Sequence, residues 1–125
     1  MRLLLIGGSN TGIRGGWARQ LAALMPEAEI DNQYLGVVGS LFGLLRLLRL
    51  KKEGWPRPDV VVFEYALNDS YIMLGGGVDA PLLQWVLEDV VTLCAREGAG
   101  LLFLCLSLPP PEGERLAGPH WMIQV

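Results

Sequence analysis

One histidine, two cysteines and a charged fraction of only 18% leave this sequence short of the side chains that usually carry chemistry. Each scarcity narrows the function. Cys94 and Cys105 fall inside an expected helix and an expected strand, so the reading is two buried free thiols rather than a disulfide or a metal pair. No metal or organic cofactor is expected. A net charge of −3 offers no basic footprint for nucleic acid. No apolar run is long enough to span a bilayer: the longest, Leu35 to Leu50, is broken by Arg46 and Arg49. Met1-Arg2-Leu3-Leu4-Leu5-Ile6 begins like a leader, but glycines end its apolar core too early. A cytoplasmic location is the resulting expectation. Repeats and low-complexity segments are also lacking.

Apolar residues, by contrast, make up 51% of the 125, which excludes disorder and fits a single domain over residues 1–125. A mean hydropathy of +0.36 is high for so small a chain, whose large relative surface should be more polar. The chain therefore either pairs with something or belongs to a larger domain that covers its core.

Apolar runs alternate with helical patterns, the signature of βαβ units and a parallel sheet. Strands are expected over Arg2 to Ile6, Glu29 to Leu35, Val60 to Tyr65 and Leu101 to Leu106. The second, mixed in polarity, reads as an edge strand. The third and fourth read as buried on both faces. Helices are expected from near Gly15 to Met25, stopped by Pro26; from Ser40 to Lys52; and from Ala80 to Glu97. Asp79 is the N-cap of the last helix and Gly98 lies just beyond its end. Gly75-Gly76-Gly77 is a flexible connection, and the chain after Pro109-Pro110-Pro111 reads as loop.

Two polar clusters follow strands. Gly7-Gly8-Ser9-Asn10-Thr11 comes after the first, and Ala66-Leu67-Asn68-Asp69-Ser70 after the third. In a parallel α/β sheet the residues just past neighbouring strand ends meet in one crevice, where ligands bind. A serine there can act as a nucleophile and an asparagine as an oxyanion donor, provided that a base activates the hydroxyl.

These blocks resemble those of the SGNH (GDSL-like) hydrolase superfamily. Gly7-Gly8-Ser9-Asn10 is similar to the family's Gly-Asp-Ser block, with Gly8 in place of the aspartate. The resemblance implies that Ser9 is the nucleophile, flanked by Gly8 and Asn10. Leu35-Gly36-Val37-Val38-Gly39-Ser40 lies where the family places a glycine whose N–H serves the oxyanion hole; Gly36 is the better match and Gly39 the other. Ala66-Leu67-Asn68-Asp69 resembles Gly-x-Asn-Asp with alanine for glycine, which makes Asn68 the side-chain oxyanion donor and Asp69 its supporting neighbour. The family's last block, Asp-x-x-His, has no match. His120 is preceded three positions earlier by Ala117, and no strand or helix is expected after it. The resemblance implies a fifth strand and a final helix beyond this point, so the domain reads as truncated.

Plainer readings stand beside these. Ser9 or Asn10 can simply cap a helix, and Asn68-Asp69-Ser70 can cap or turn the chain locally. Gly7 and Gly12 have P-loop spacing, but Ile13-Arg14 replaces the Lys-Ser/Thr that phosphate binding needs. Glu64, inside an apolar strand, reads as a partnered or edge residue, and His120 as a loop histidine. Trp17, Trp55 and Trp85 read as packing residues, and Arg46 to Lys52 as a solvated helix end.

The expectation is thus a three-layer, flavodoxin-like α/β fold, incomplete at its C-terminal side. Its function by resemblance is a serine esterase acting on a small-molecule ester or acylated carbohydrate or lipid, with this chain alone lacking the base. The rivals are a non-catalytic ligand-binding module and a phosphate- or nucleotide-binding domain using the Gly7 to Gly16 loop. An uncovered sheet edge would also promote self-association.

Overall fold

In the computed structural model, residues 1–106 are described. They form β1 (Arg2–Gly7), α1 (Ser9–Gly12), α2 (Trp17–Leu24), β2 (Glu29–Asn32), α3 (Ser40–Lys52), β3 (Val60–Glu64), α4 (Ala66–Leu74), α5 (Ala80–Glu97) and β4 (Gly100–Phe103). All strand pairs are parallel, in the order β2-β1-β3-β4. The chain moves from β1 outward to β2, then returns to the other side of β1 with β3. That reversal makes the β1/β3 boundary the topological switch point of the sheet.

Alternation along the central strands builds the layers, because successive side chains point to opposite faces. Leu3 and Leu5 of β1 and Val62 of β3 face α2, packing with Ala18, Trp17 and Leu21. Leu4, Ile6, Val61 and Phe63 face the other way, onto Leu44, Leu47 and Leu50 of α3 and Val86, Val90, Leu93 and Cys94 of α5. The fold is therefore three-layered, as expected. Leu5, Ile6 and Val61 have no exposed surface, and burying each contributes about 1.5–3 kcal/mol.

Local chemistry sets the helix ends. Asp79 accepts a hydrogen bond from the Leu82 N–H at 2.8 Å at the start of α5, and Gly98 ends it in the left-handed conformation, φ 67°. Arg49, Lys51 and Lys52 occupy the last turn of α3, where they complement the helix dipole.

Several expectations are corrected. The fourth strand is only Gly100–Phe103, and Leu102 and Phe103 are exposed rather than buried. The reason is its position: among the described residues β4 pairs with β3 alone, as an edge strand. Cys105 lies past its end and is exposed, while Cys94 is buried and its thiol is pushed up to about 11 by burial. Trp85 projects outward at 55% exposure, whereas Trp17 and Trp55 do pack against the core. Helices α1 and α4 were not anticipated, since their polar residues hide the apolar periodicity that marks a helix. The Pro109 segment and His120 lie outside the described residues.

At Gly43, α3 lies close against Phe63 and Tyr65. A Cβ there would lie 2.5 Å from Tyr65 Cε2 and 2.6 Å from Phe63 Cζ. Gly43→Ala is expected to lower stability by about 1–3 kcal/mol, although alanine at an unhindered helix site would raise it by about 1 kcal/mol. Urea denaturation measures the sign.

Candidate active site

The turn after β1 is anchored at both of its glycines. Gly8 N–H donates to the Glu64 carbonyl at 3.1 Å, and the Gly7 carbonyl accepts from the Leu35 N–H at 3.0 Å. The first bond continues the β1–β3 pairing, and the second ties in the loop after β2. Gly8 occupies the cap position of α1, with no side chain capping it, so neither Ser9 nor Asn10 is the cap that the plainer reading allowed. Ser9 begins the helix and is exposed at the carboxyl end of the sheet; Asn10 is half-buried.

Asn68 sits in the first turn of α4, directly after β3. Its Nδ2 donates to the Val38 carbonyl at 2.7 Å. An amide nitrogen carries two N–H donors, so one remains for a ligand. The same Nδ2 lies 2.5 Å from where a Cβ on Gly8 would stand. Asn68 is thus packed against the Ser9 turn on one side and tied to the loop after β2 on the other. The absent side chain at Gly8, where the resembled block has aspartate, is what permits this approach.

Asp69 does not cap its own helix. It is buried at 7% exposure and accepts from Ser40 N–H at 2.8 Å and Ser40 Oγ at 2.6 Å, capping α3 from a different element. Its Oδ1 also lies 2.5 Å from where a Cβ on Gly39 would stand, so Gly39 is enclosed against it. Gly36 differs: it is exposed, and open space surrounds its Cβ position. Being next to Leu35, it lies beside the Gly7 anchor point.

Glu64, read as a partnered or edge residue, is partnered and lies on an inner strand, and its partner Thr11 had no role in the motif reading. Both are buried, and Thr11 Oγ1 donates to Glu64 Oε2 at 2.8 Å. The available signal was an acid in an otherwise apolar strand opposite a hydroxyl in the turn. Burial raises the Glu64 carboxyl above its ordinary range, opposed by the hydrogen bonds from Thr11 and Gly8. Burial likewise raises Asp69, opposed by Ser40. Tyr65 is raised by burial first and then by these two carboxyls. No cluster of metal-ligating side chains occurs among the described residues.

Beside the turn opens a cleft of about 270 Å³ lined by Thr11, Gly12, Ile13, Arg14, Arg19, Asn32 and Tyr34. A second cleft, lined by Arg2, Glu29, Trp55 and Pro58, lies at the opposite, amino end of the strands and away from Ser9. The turn thus carries an exposed Ser9 directly after Gly8, against which the Asn68 amide packs, and the cleft beside it begins at Thr11. No helix among the described residues is long and apolar enough to cross a membrane.

Two predictions follow from this geometry. Gly8→Ala is expected to push Asn68 aside, shifting its side-chain amide resonances and costing about 1–3 kcal/mol. The raised carboxyls also fix a pH dependence. A folded state that holds protons more tightly than the unfolded chain loses stability as pH rises from the ordinary carboxylate range, about 4, through the raised folded values. The stability of the wild type relative to Glu64→Gln should therefore fall with rising pH, as followed by urea denaturation across that window.

No protein-family model and no curated protein matches the chain. Among solved structures it is similar to TesA, with 28% identity and a TM-score of 0.70 over 88% of this chain and 63% of that one. It is also similar to the acetyl xylan esterase AlAXEase, at 21% identity and TM-score 0.68, covering 82% of this chain and 57% of that one. A third likeness is the psychrotrophic esterase EstA from Pseudoalteromonas sp., at 20% identity and TM-score 0.68, over 95% and 64% of the two chains. The chain thus spans less than two thirds of the length of each of these proteins. Motif blocks, strand order and these likenesses agree: the chain has the fold of the SGNH (GDSL-like) hydrolases and matches the N-terminal part of that fold.

Proposed function

We propose that this chain carries the nucleophile and oxyanion hole of an SGNH-type serine ester hydrolase. The observation that carries the reading is an exposed Ser9 at the β1/β3 switch point, directly after Gly8, against which the Asn68 amide packs. In this reading Ser9 Oγ attacks the ester carbonyl carbon while a base takes its proton. The resulting oxyanion is held by the Ser9 N–H, the Gly36 N–H and Asn68 Nδ2; collapse expels the alcohol, which takes the proton back from the base, and water then hydrolyses the acyl-Ser9 to the acid. The substrate class is an acyl or acetyl ester on a carbohydrate or lipid, in keeping with neighbours named as esterases. No residue from 1 to 106 is a histidine, and His120 lacks an aspartate three positions before it. The base is therefore the part of the machinery that this sequence does not match.

A non-catalytic pocket is the reading that remains if Ser9 proves inert. A fluorophosphonate probe, followed by mass spectrometry of the full chain, separates the two. Labelling at the slow rate of a serine whose base is not matched is expected at Ser9, abolished in Ser9→Ala and slowed a further about 10²–10³-fold in Asn68→Ala, the usual effect of losing one oxyanion donor. No labelling of the folded wild type would sink the hydrolase reading for this chain. The exposed Leu102 and Phe103 on β4 also support self-association through that edge, which sedimentation velocity would detect as a concentration-dependent shift.

A further inference from the structure

Among the described residues, the ionisable side chain with the least exposed surface lies at the base of the Ser9 turn. Glu64 ends β3 opposite Gly7 and has no exposed surface. A carboxylate at such depth ordinarily has a cation or several donors. The ion pairs among the described residues, Arg2–Glu29, Arg49–Glu53 and Lys51–Glu97, all lie elsewhere. Glu64 accepts from Thr11 on Oε2, and the Gly8 N–H also favours its charged form, while Oε1 has no hydrogen-bond partner among the described residues. Around it, β1 contributes Gly7 and α1 contributes Thr11, neither of which titrates. From α4 comes Asp69, whose charge opposes a second negative one, and Tyr65 follows directly, at the cap position of α4. Ionised, Oε1 would bear charge without a donor; uncharged, the group forgoes only a neutral hydrogen bond, which is the smaller penalty.

The other end of the bond is equally constrained. The Thr11 hydroxyl reaches Glu64 through the space that Gly7 leaves open, since a Cβ there would overlap Thr11 Oγ1. Thr11 N–H donates to the Gly8 carbonyl at 3.1 Å, and its own carbonyl accepts from Asn32 Nδ2 at 3.1 Å. Its side chain and both its backbone groups are thereby fixed, two residues beyond Ser9.

We infer that Glu64, in its uncharged form, is a positioning residue that sets, through Thr11, the orientation of the turn presenting Ser9 to the Asn68 amide. The inference deepens the hydrolase reading and rests on it for the role of Ser9. Glu64 itself touches no substrate. Its neutrality matters twice: a charge there would draw water toward the orphaned oxygen and disturb the turn. It would also oppose the negative charge that develops on the substrate oxygen held nearby. Ser9 reactivity should therefore fall at alkaline pH while the sheet stays intact.

The test uses the full chain with ¹³C-labelled glutamate carboxyls, together with amide hydrogen exchange at residues 8–12. The Glu64 resonance is expected to stay in its protonated position at neutral pH. Glu64→Gln and Thr11→Ser should keep wild-type exchange at residues 8–12. Glu64→Leu and Thr11→Val should each accelerate it by about tenfold or more, with β1 and β3 amides unchanged. Fluorophosphonate labelling of the wild type should slow as Glu64 ionises, and Glu64→Gln should lack that step. A Glu64 carboxyl titrating near its ordinary value, about 4, overturns the inference. So does wild-type exchange in Thr11→Val, which decides the matter if Glu64→Leu fails to fold. Absence of labelling in the wild type, with titration and exchange as expected, overturns the nucleophile role of Ser9 and leaves the Glu64–Thr11 strut standing.

Discussion

The pairing of β1 with β3, which sets Gly7 opposite Glu64, is the constraint on which the remaining structure depends. Both strands are covered on two faces, so neither can slip by one residue without turning a set of leucines and valines from one helix layer to the other. Their carboxyl ends are thereby held level. Whatever the chain places just after them must meet, and it places Ser9 after one and Asn68 after the other. The Gly8 N–H on the Glu64 carbonyl extends that ladder by one bond into the turn itself.

Hydrogen bonds that cross between elements then complete the crevice. Asn68 holds the Val38 carbonyl, Asp69 holds the start of α3 through Ser40, and Thr11 holds Glu64. Each joins segments far apart in sequence, and each stiffens a loop that would otherwise be fixed only at its ends. Two buried carboxyls with no cation among the described residues cost stability, and a core selected for stability alone would replace them with apolar groups. Both lie at the switch point, which is where perturbed ionisable groups concentrate in proteins whose sites do chemistry.

The excess of apolar residues has a visible destination. Leu41, Phe42, Leu45 and Leu48 of α3 are exposed, as are Leu102 and Phe103 of β4. The buried stripe of α3, with Gly43, Leu44, Leu47 and Leu50, accounts for only part of its leucines. High mean hydropathy here therefore reflects apolar surface as well as a large core, among residues that span 57–64% of the length of the three structural neighbours.

Much of the fold was legible because it is local. Val60-Val61-Val62-Phe63 announces a buried strand, the leucine spacing from Ser40 to Lys52 announces a helix, and Asp79 and Gly98 bracket another. The positions of Ser9 and Asn68 after strands were equally readable. Less local features were not. The exposure of β4, Trp85 and Cys105 depends on which strand has a second neighbour and which helix face meets the sheet. Helix α4 was concealed by Asn68-Asp69-Ser70; the first two have their partners, Val38 and Ser40, about thirty positions away, and Ser70 bonds the Ala66 carbonyl within the helix. Periodicity and turn chemistry act over a few residues, so the order of amino acids alone set the alternation of strands and helices and put a serine and an asparagine at strand ends. That Thr11 meets Glu64 and that Asp69 caps α3 came only with the folded arrangement. Hydrogen bonds between distant segments exist only once the sheet order has brought those segments together.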